Sequence, residues 1–154
     1  MNKFELEEIQ LTGLALKTKT FNANGQSAID CGKLWQEFTS GNYADKIPGK
    51  LSDEIFAVYH GYDGDHTEPY SYFIGCKANA GSQVPSGMNR LIIPAAQYQK
   101  ISAKGKMPDC VAEAWRAIWQ SDISRAYQFD FERYDERSKD WNNAEVDIFI
   151  GVKA

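Results

Sequence analysis

The sequence predicts an α+β fold built from two βαββ units that are related by pseudo-twofold symmetry. Three observations carry this prediction: two amphipathic helical stripes, two pairs of matching strand segments, and a Gly-, Ser- and Pro-rich joint at residues 78–87. The repeats run over about residues 8–78 and 88–154, within a single domain of residues 1–154. Two such units most simply share one antiparallel sheet, with the two main helices on one face.

Each unit is expected to begin with a strand, within residues 9–21 in the first half and 90–105 in the second. The segments that follow the helices also match between the halves. YHGYD aligns with FERYD, and YFIGCKA aligns with IFIGVKA. Each half therefore reads as strand, helix, strand, strand. The groove along the axis between two similar halves is a common place for a ligand.

Both predicted helices carry an apolar stripe at the spacing i, i+3, i+4 and i+7. In SAIDCGKLWQEFTSG, Ser27 is the N-cap candidate and Gly41 the stop signal. In MPDCVAEAWRAIWQSD, Pro108 suits the first turn and Asp109 complements the helix dipole. The two stripes consist of Cys31, Leu34, Trp35 and Phe38, and of Val111, Ala114, Trp115 and Ile118.

The strand YQFDFERYDE alternates apolar and acidic residues, and the repeat alignment pairs its Glu132 with His60. Since both faces of the first-half strand EIFAVYHGYD are largely apolar, we expect the face of Glu132 to be covered as well. A buried carboxylate needs a cation, a set of hydrogen-bond donors or a raised pKa. A cationic ligand among aromatic rings would meet that need. The alternatives are a Glu that accepts hydrogen bonds from Tyr or the backbone, and one that is solvated at a sheet end.

The composition excludes several classes of protein. The net charge is −4 without a basic run, unlike a nucleic-acid binder, and no apolar run is long enough to span a membrane. The N-terminus lacks a secretory signal, and three cysteines without a CxxC pair indicate reduced thiols, so we expect a cytoplasmic protein. The chain has only two His, and the acidic stretch YDGDHTEP is typical of a hairpin turn, so we expect no metal site. No P-loop, dinucleotide or nucleophile-elbow motif appears, so we expect no cofactor.

Three stretches resemble the GyrI-like small-molecule-binding family, the effector-binding domain of bacterial transcription activators. They are EIFAVYHGYDGD…YSYFIGCKA, IPAAQYQKISAKGKMPDCVAEAWRAIW and FDFERYDER…AEVDIFIGVK, and the match covers residues 8–153. The chain also resembles the stand-alone drug-binding proteins that are carried on integron gene cassettes. The resemblance implies the duplicated βαββ fold and an aromatic pocket in which a glutamate meets cationic drugs. The FERY stretch assigns Glu132 to that position.

Six residues are candidates for ligand binding. Trp35 and Trp115 lie on the helical stripes, where core packing is the alternative role. Trp119 lies one residue beyond its stripe, at the edge of the helix-facing surface, where a groove wall and a packing role are both open. Tyr59 and His60 lie on the strand that symmetry pairs with Glu132, where core or edge packing is the alternative. The set is Glu132, Trp115, Trp119, Tyr59, His60 and Trp35.

The sequence therefore predicts a non-enzymatic binder of amphipathic, cationic aromatic molecules, for multidrug sensing or sequestration. Family members of this kind usually carry a DNA-binding segment. Here the first strand begins within a dozen residues, so transcription regulation would act through a separate regulator chain. One alternative is a protein–protein module that acts on gyrase or a regulator. Another is a small-molecule hydrolase that uses Glu132 and a nearby Tyr.

Overall fold

The computed structural model describes residues 3–153, which form an eight-stranded antiparallel sheet and two main helices. The strands are β1 (Lys3–Leu6), β2 (Ile9–Ala15), β3 (Ile55–His60), β4 (Ser71–Lys77), β5 (Asn89–Ile93), β6 (Ala96–Gly105), β7 (Arg125–Tyr134) and β8 (Ala144–Val152), and the helices are α1 (Gln26–Ser40) and α2 (Asp109–Trp119). Their order in the sheet is β1-β6-β8-β7-β3-β4-β2-β5. The α+β prediction is confirmed.

The duplicated unit is visible in the order of the strands. The first unit is β2–α1–β3–β4 and the second is β6–α2–β7–β8, and β3 pairs with β7 at the centre of the sheet. The strand order on one side of this pair mirrors the order on the other side. The pseudo-twofold axis therefore passes between β3 and β7.

The two leading strands also pair with each other, which the sequence did not predict. β1 pairs with β6 and β2 pairs with β5, in one register that runs from Lys3 opposite Gln99 to Gly13 opposite Asn89. The second leading strand is split at Pro94, which has no N–H to give to a ladder. Because β2 also pairs with β4, and β6 with β8, the sheet curls until its two ends meet.

The curl gives the sheet two covered faces. The helix-side face packs beneath α1 and α2, with Leu34 and Phe38 of α1 over β4, and Trp115 and Ile118 of α2 over β8. The inner face encloses a second core of mainly large apolar side chains. That core is formed by Leu11, Phe56, Val58, Phe73, Ile93, Tyr98, Phe131 and Phe149.

The repeat alignment is wrong by one residue in β7. Ala57 lies opposite Ile74, and Asp130 lies opposite Ile150, the residue that matches Ile74 in the second half. Ala57 is thus equivalent to Asp130, and Tyr59, not His60, is equivalent to Glu132. A shift of one residue exchanges the two faces of a strand. Glu132 therefore lies on the helix-side face, opposite Ala57, and only 2% of it is exposed.

The helix ends differ slightly from those expected. α1 begins at Gln26 with Gly25 at the N-cap in a left-handed conformation (φ 69°), so Ser27 lies inside the first turn. Gly41 ends α1 as predicted, and Pro108 directly precedes α2. Within residues 3–153, neither helix is long and apolar enough to cross a membrane.

Candidate ligand-binding site

A cavity of about 630 Å³ lies between the two helices and the helix-side face of the sheet. We call it the helix-side cavity. α1 lines it with Trp35 and Cys31, and α2 with Val111, Trp115 and Trp119. The sheet contributes its floor, which consists of Tyr59, Tyr72, Glu132 and Tyr134. Among the described lining residues the cavity therefore combines aromatic walls with one carboxylate on its floor, and Arg116 and Arg125 also line it.

Three neutral donors hold the Glu132 carboxylate. Its Oε2 accepts hydrogen bonds from the Tyr59 hydroxyl and from Trp115 Nε1, both at 2.7 Å. Its Oε1 accepts a hydrogen bond from the Tyr134 hydroxyl at 2.6 Å. The donors come from β3, α2 and β7, so both halves of the molecule fix this one side chain.

Burial raises the pKa of Glu132 above its ordinary value, and the bonds from Tyr134, Trp115 and Tyr59 act against that rise. Within residues 3–153, Lys, Arg and His make no ion pair with this carboxylate. Glu132 thus has its hydrogen bonds satisfied, while the described residues supply no counter-ion to its carboxylate.

The tyrosines of the floor serve as fixed donors. Burial, with a further contribution from the Glu132 charge, raises the pKa of Tyr59, Tyr72 and Tyr134 well above the ordinary value. Their hydroxyls therefore stay protonated at neutral pH. The ring of Tyr59 lies 4.9 Å from Trp115 and 5.0 Å from Tyr72, which in turn accepts a hydrogen bond from Trp35 Nε1 at 2.7 Å.

A second buried carboxylate, Asp130, lies two residues before Glu132 on β7, outside the cavity lining, and has an ion-pair partner. Asp130 Oδ2 accepts from the Arg125 guanidinium at 2.7 Å and from the Tyr62 hydroxyl, and Oδ1 accepts from the Gly151 amide at 2.8 Å. The side chains of Arg125 and Asp130 are 4% and 0% exposed. Arg125 also packs 4.3 Å from the centroid of the Tyr127 ring.

The loop after β3 closes one side of the cavity. His66 stacks on Trp119 with ring centroids 5.4 Å apart, and its carbonyl accepts a hydrogen bond from Asn22. Asp65 accepts hydrogen bonds from the amide and the hydroxyl of Thr67, so this acidic segment is built as a turn.

Five of the six predicted residues line this cavity, and His60 does not. Trp35, Trp115, Trp119, Tyr59 and Glu132 all contribute to the wall or the floor. His60 lies on the opposite face of β3, where its ring stacks on Phe129 at 5.4 Å. The one-residue shift in the repeat alignment accounts for this difference, since Tyr59 and not His60 is equivalent to Glu132.

The sequence analysis missed two tyrosines of the floor. Tyr134 follows Glu132 by two positions, which puts both on one face of a strand, so that signal was available. Tyr72 lies opposite Tyr59 in the β3–β4 ladder, and finding it required the register. The contacts of Glu132 match the alternative in which the carboxylate accepts hydrogen bonds from Tyr side chains. Glu132 also lines the helix-side cavity.

Comparison with known proteins identifies relatives over nearly the whole chain. A family model described as Cass2, integron-associated effector binding protein, matches residues 4–152. An integron cassette protein from the mobile metagenome of Vibrio cholerae is 28% identical, with a TM-score of 0.75, over 99% of this chain and 95% of that one. The tetraphenylphosphonium-bound structure of SAV2435 shares the fold, with a TM-score of 0.77 and 15% identity over 99% and 93% of the two chains.

Two curated relatives carry regulatory names. The putative transcriptional regulator YobU of Bacillus subtilis is 25% identical over 124 residues, 78% of each chain. The transcriptional regulator BrlR of Pseudomonas aeruginosa is 29% identical over 128 residues, 79% of this chain. The matched part is 46% of BrlR, so this chain spans about half the length of that relative.

Proposed function

Because this chain belongs to the family of integron-associated effector-binding proteins, we propose that it binds cationic aromatic small molecules in the helix-side cavity. Glu132 is the counter-ion, and the rings of Trp35, Trp115 and Tyr59 are the walls. The observation that carries the proposal is the buried Glu132 carboxylate, which lines an aromatic cavity and has no cationic partner within residues 3–153.

The charge of Glu132 supports a cation rather than a neutral ligand. When it is ionised, a desolvated carboxylate that is held by neutral donors has no ion-pair partner, and a cation beside it gains more than it would in water. Aromatic faces attract the same cation, by about 2 kcal/mol when the site is desolvated. Rings and carboxylate therefore favour the same class of ligand, a flat or multi-ring cation.

Binding without catalysis fits the protonation of the site. The raised pKa values of Tyr59 and Tyr134 leave these hydroxyls as donors to Glu132 rather than as nucleophiles. A hydrolase that uses Glu132 and a Tyr therefore finds no support in this geometry. The regulatory names of YobU and BrlR favour effector sensing, in which the occupied protein acts on transcription together with a regulator.

The test measures affinity for tetraphenylphosphonium, the molecule in the SAV2435 structure, with wild type and Glu132→Gln. Gln keeps the size of the side chain and removes its charge. We expect micromolar-range binding by wild type and a loss of about 2 kcal/mol, roughly 30-fold in the dissociation constant, in the variant. Isothermal titration calorimetry checks both values.

Two controls separate charge from shape. Glu113→Gln makes the same change on the exposed surface of α2 and should leave the affinity unchanged. Triphenylphosphine oxide, which is neutral and of similar shape, should bind weakly and equally to wild type and Glu132→Gln. The proposal fails if the cation does not bind, or if Glu132→Gln and Glu113→Gln bind it equally well.

A further inference from the structure

A second cavity of about 530 Å³ opens on the inner face of the curl, on the side of the sheet away from the helices. We call it the inner cavity. Its floor consists of Phe56, Phe131 and Phe149, whose rings pack in sequence with centroids 5.7 and 4.8 Å apart. Phe4 of β1 forms part of the wall and is 38% exposed. The inner cavity thus offers an apolar surface at the open end of the curl.

Three cationic side chains face inward around this floor. Arg133 lies opposite Phe56, Lys100 opposite Phe149 and Lys77 opposite Leu11, in the ladders of the inner face. Directly opposite residues share one face of a sheet. The Lys77 ammonium lies 5.4 Å from the Phe56 ring centroid, and the Arg133 guanidinium lies 5.1 Å from that of Phe149.

These three cations differ in their ion-pair partners. Arg133 forms ion pairs with Asp147 at 2.6 Å and with Glu54 at 3.9 Å. Lys77 and Lys100 have no ion-pair partner within residues 3–153. Two ammonium groups without an ion-pair partner in the described residues therefore lie beside an aromatic floor, whereas the helix-side cavity has a carboxylate without one.

Three glutamates, Glu5, Glu7 and Glu8, also line the inner cavity. Glu7 and Glu8 form the turn between β1 and β2, and both are exposed. Glu5 alternates with Phe4 and Leu6 along β1, so its side chain faces away from the inner cavity. An anionic group would therefore lie at Lys77 or at Lys100, and not at the exposed glutamates of the β1–β2 turn.

The geometry points to the inner cavity as a second ligand site, which takes an amphipathic organic anion. The apolar body lies on the phenylalanine floor, and a sulfonate or carboxylate head meets the ammonium group of Lys77 at the Phe56 end or that of Lys100 at the Phe149 end. Along β7, Phe131 and Arg133 face this site while Glu132 and Tyr134 face the other. The two sites therefore select ligands of opposite charge on opposite faces of one strand.

The experiment uses 8-anilinonaphthalene-1-sulfonate as an anionic fluorescent probe and N-phenyl-1-naphthylamine as its neutral counterpart. We expect the double variant Lys77→Gln/Lys100→Gln to raise the dissociation constant of the anion by about tenfold or more. Binding of the neutral probe should change by less than about twofold. Circular dichroism and a thermal melt check that the variant is folded.

Matched controls separate this site from general surface charge and from the helix-side cavity. Lys17→Gln/Lys33→Gln removes the same charge from exposed positions away from the curl and should leave anion binding intact. Glu132→Gln and saturating tetraphenylphosphonium should also leave it intact. Failure of the proposed cation site would then appear in the tetraphenylphosphonium titration, and not in the titration with the anionic probe.

Three results would overturn the inner site. They are equal effects of the two lysine pairs, displacement of the anionic probe by tetraphenylphosphonium, and equal losses of both probes in Lys77→Gln/Lys100→Gln. If that double variant does not fold, the salt dependence of binding to the wild-type protein still tests the inner site. Added sodium chloride should weaken binding of the anion and not of the neutral probe, and an unchanged affinity for the anion rejects the site.

Discussion

Asp130 and Glu132 lie two residues apart on the helix-side face of β7, and they differ in whether the carboxylate has an ion-pair partner within residues 3–153. Asp130 pairs with Arg125 and accepts further hydrogen bonds from Tyr62 and Gly151. Within residues 3–153, the donors to Glu132 are neutral and come from Tyr59, Trp115 and Tyr134. Burial raises the pKa of both carboxyls.

The difference separates a paired structural charge from one that we propose is available to a ligand. Because Arg125 neutralises Asp130, this pair presents no net attraction to a cation. Within residues 3–153 Glu132 has no ion-pair partner, so the field of its ionised form extends into the helix-side cavity. Two buried carboxylates of the same strand thus differ in their partners, and the following predictions test that contrast.

The largest effect is expected for Asp130→Asn, which leaves the buried guanidinium of Arg125 without its counter-ion. Removal of one partner of a buried ion pair costs about 3–5 kcal/mol in the free energy of unfolding. Urea denaturation measures this loss. The matched change Asp63→Asn breaks the exposed pair with Lys19 and should cost about 0–1 kcal/mol. Equal losses in the two variants would contradict the structural role of Asp130.

A smaller loss is expected for Trp115→Phe, which keeps a ring on the cavity wall and removes one donor to Glu132. A hydrogen bond to a charged group contributes about 1.5–3 kcal/mol, so we expect a loss in that range in the free energy of unfolding. The pKa of Glu132 should rise further, since this bond acts to lower it. Urea denaturation, together with cation affinity measured against pH, tests both. If the pH midpoint for cation binding is unchanged, the hydrogen bond from Trp115 does not influence the pKa of Glu132.

Glu132→Gln should reduce the free energy of unfolding by about 1 kcal/mol or less, because it removes the cost of burying a charge together with the hydrogen bonds to it. Neutralising Glu132 should therefore cost less stability than removing its donor Trp115. Urea denaturation of the two variants side by side gives the order. If Glu132→Gln is as damaging as Asp130→Asn, the contrast between the two carboxylates is wrong.

The smallest effect concerns pH. A carboxyl whose pKa is raised by folding binds its proton more tightly in the native state than in the unfolded chain. Wild type should therefore lose stability relative to Glu132→Gln as the pH rises from the unfolded value of 4.5 through the raised native pKa. The difference should be constant at higher pH. Thermal melts of the two proteins between pH 4 and 8 test this, and a difference that moves the other way would refute a raised pKa.

Periodicity was sufficient to predict the two helices and the duplicated unit, because both helices have a clear apolar stripe and a flanking Gly or Pro. It was not sufficient to predict the face of Glu132. The alignment followed the shared Tyr-Asp pairs of YHGYD and FERYD, while the ladders place Tyr59, not His60, at the position of Glu132. Strand faces depend on single residues, and local identity does not resolve a shift that small.

The ion pair between Arg125 and Asp130 could not be predicted from the sequence, for a different reason. The β7–β8 register shifts between Arg125 and Asp130, and Tyr127 within that segment has a positive φ of 53°. This irregularity brings Arg125 back towards Asp130 on the same strand. Alternation alone does not foresee such a bend, which is typical of β-bulges.

The curl of the sheet makes the two halves interdependent. Each half holds the other in two places, through the β3–β7 ladder and through the paired leading strands. The joint at residues 78–87 is then only one of three links. We expect a chain that is cleaved there to remain a tight complex of its two fragments and to melt in a single transition. Either fragment alone would expose several unpaired strand edges and would aggregate or associate with a second copy of itself.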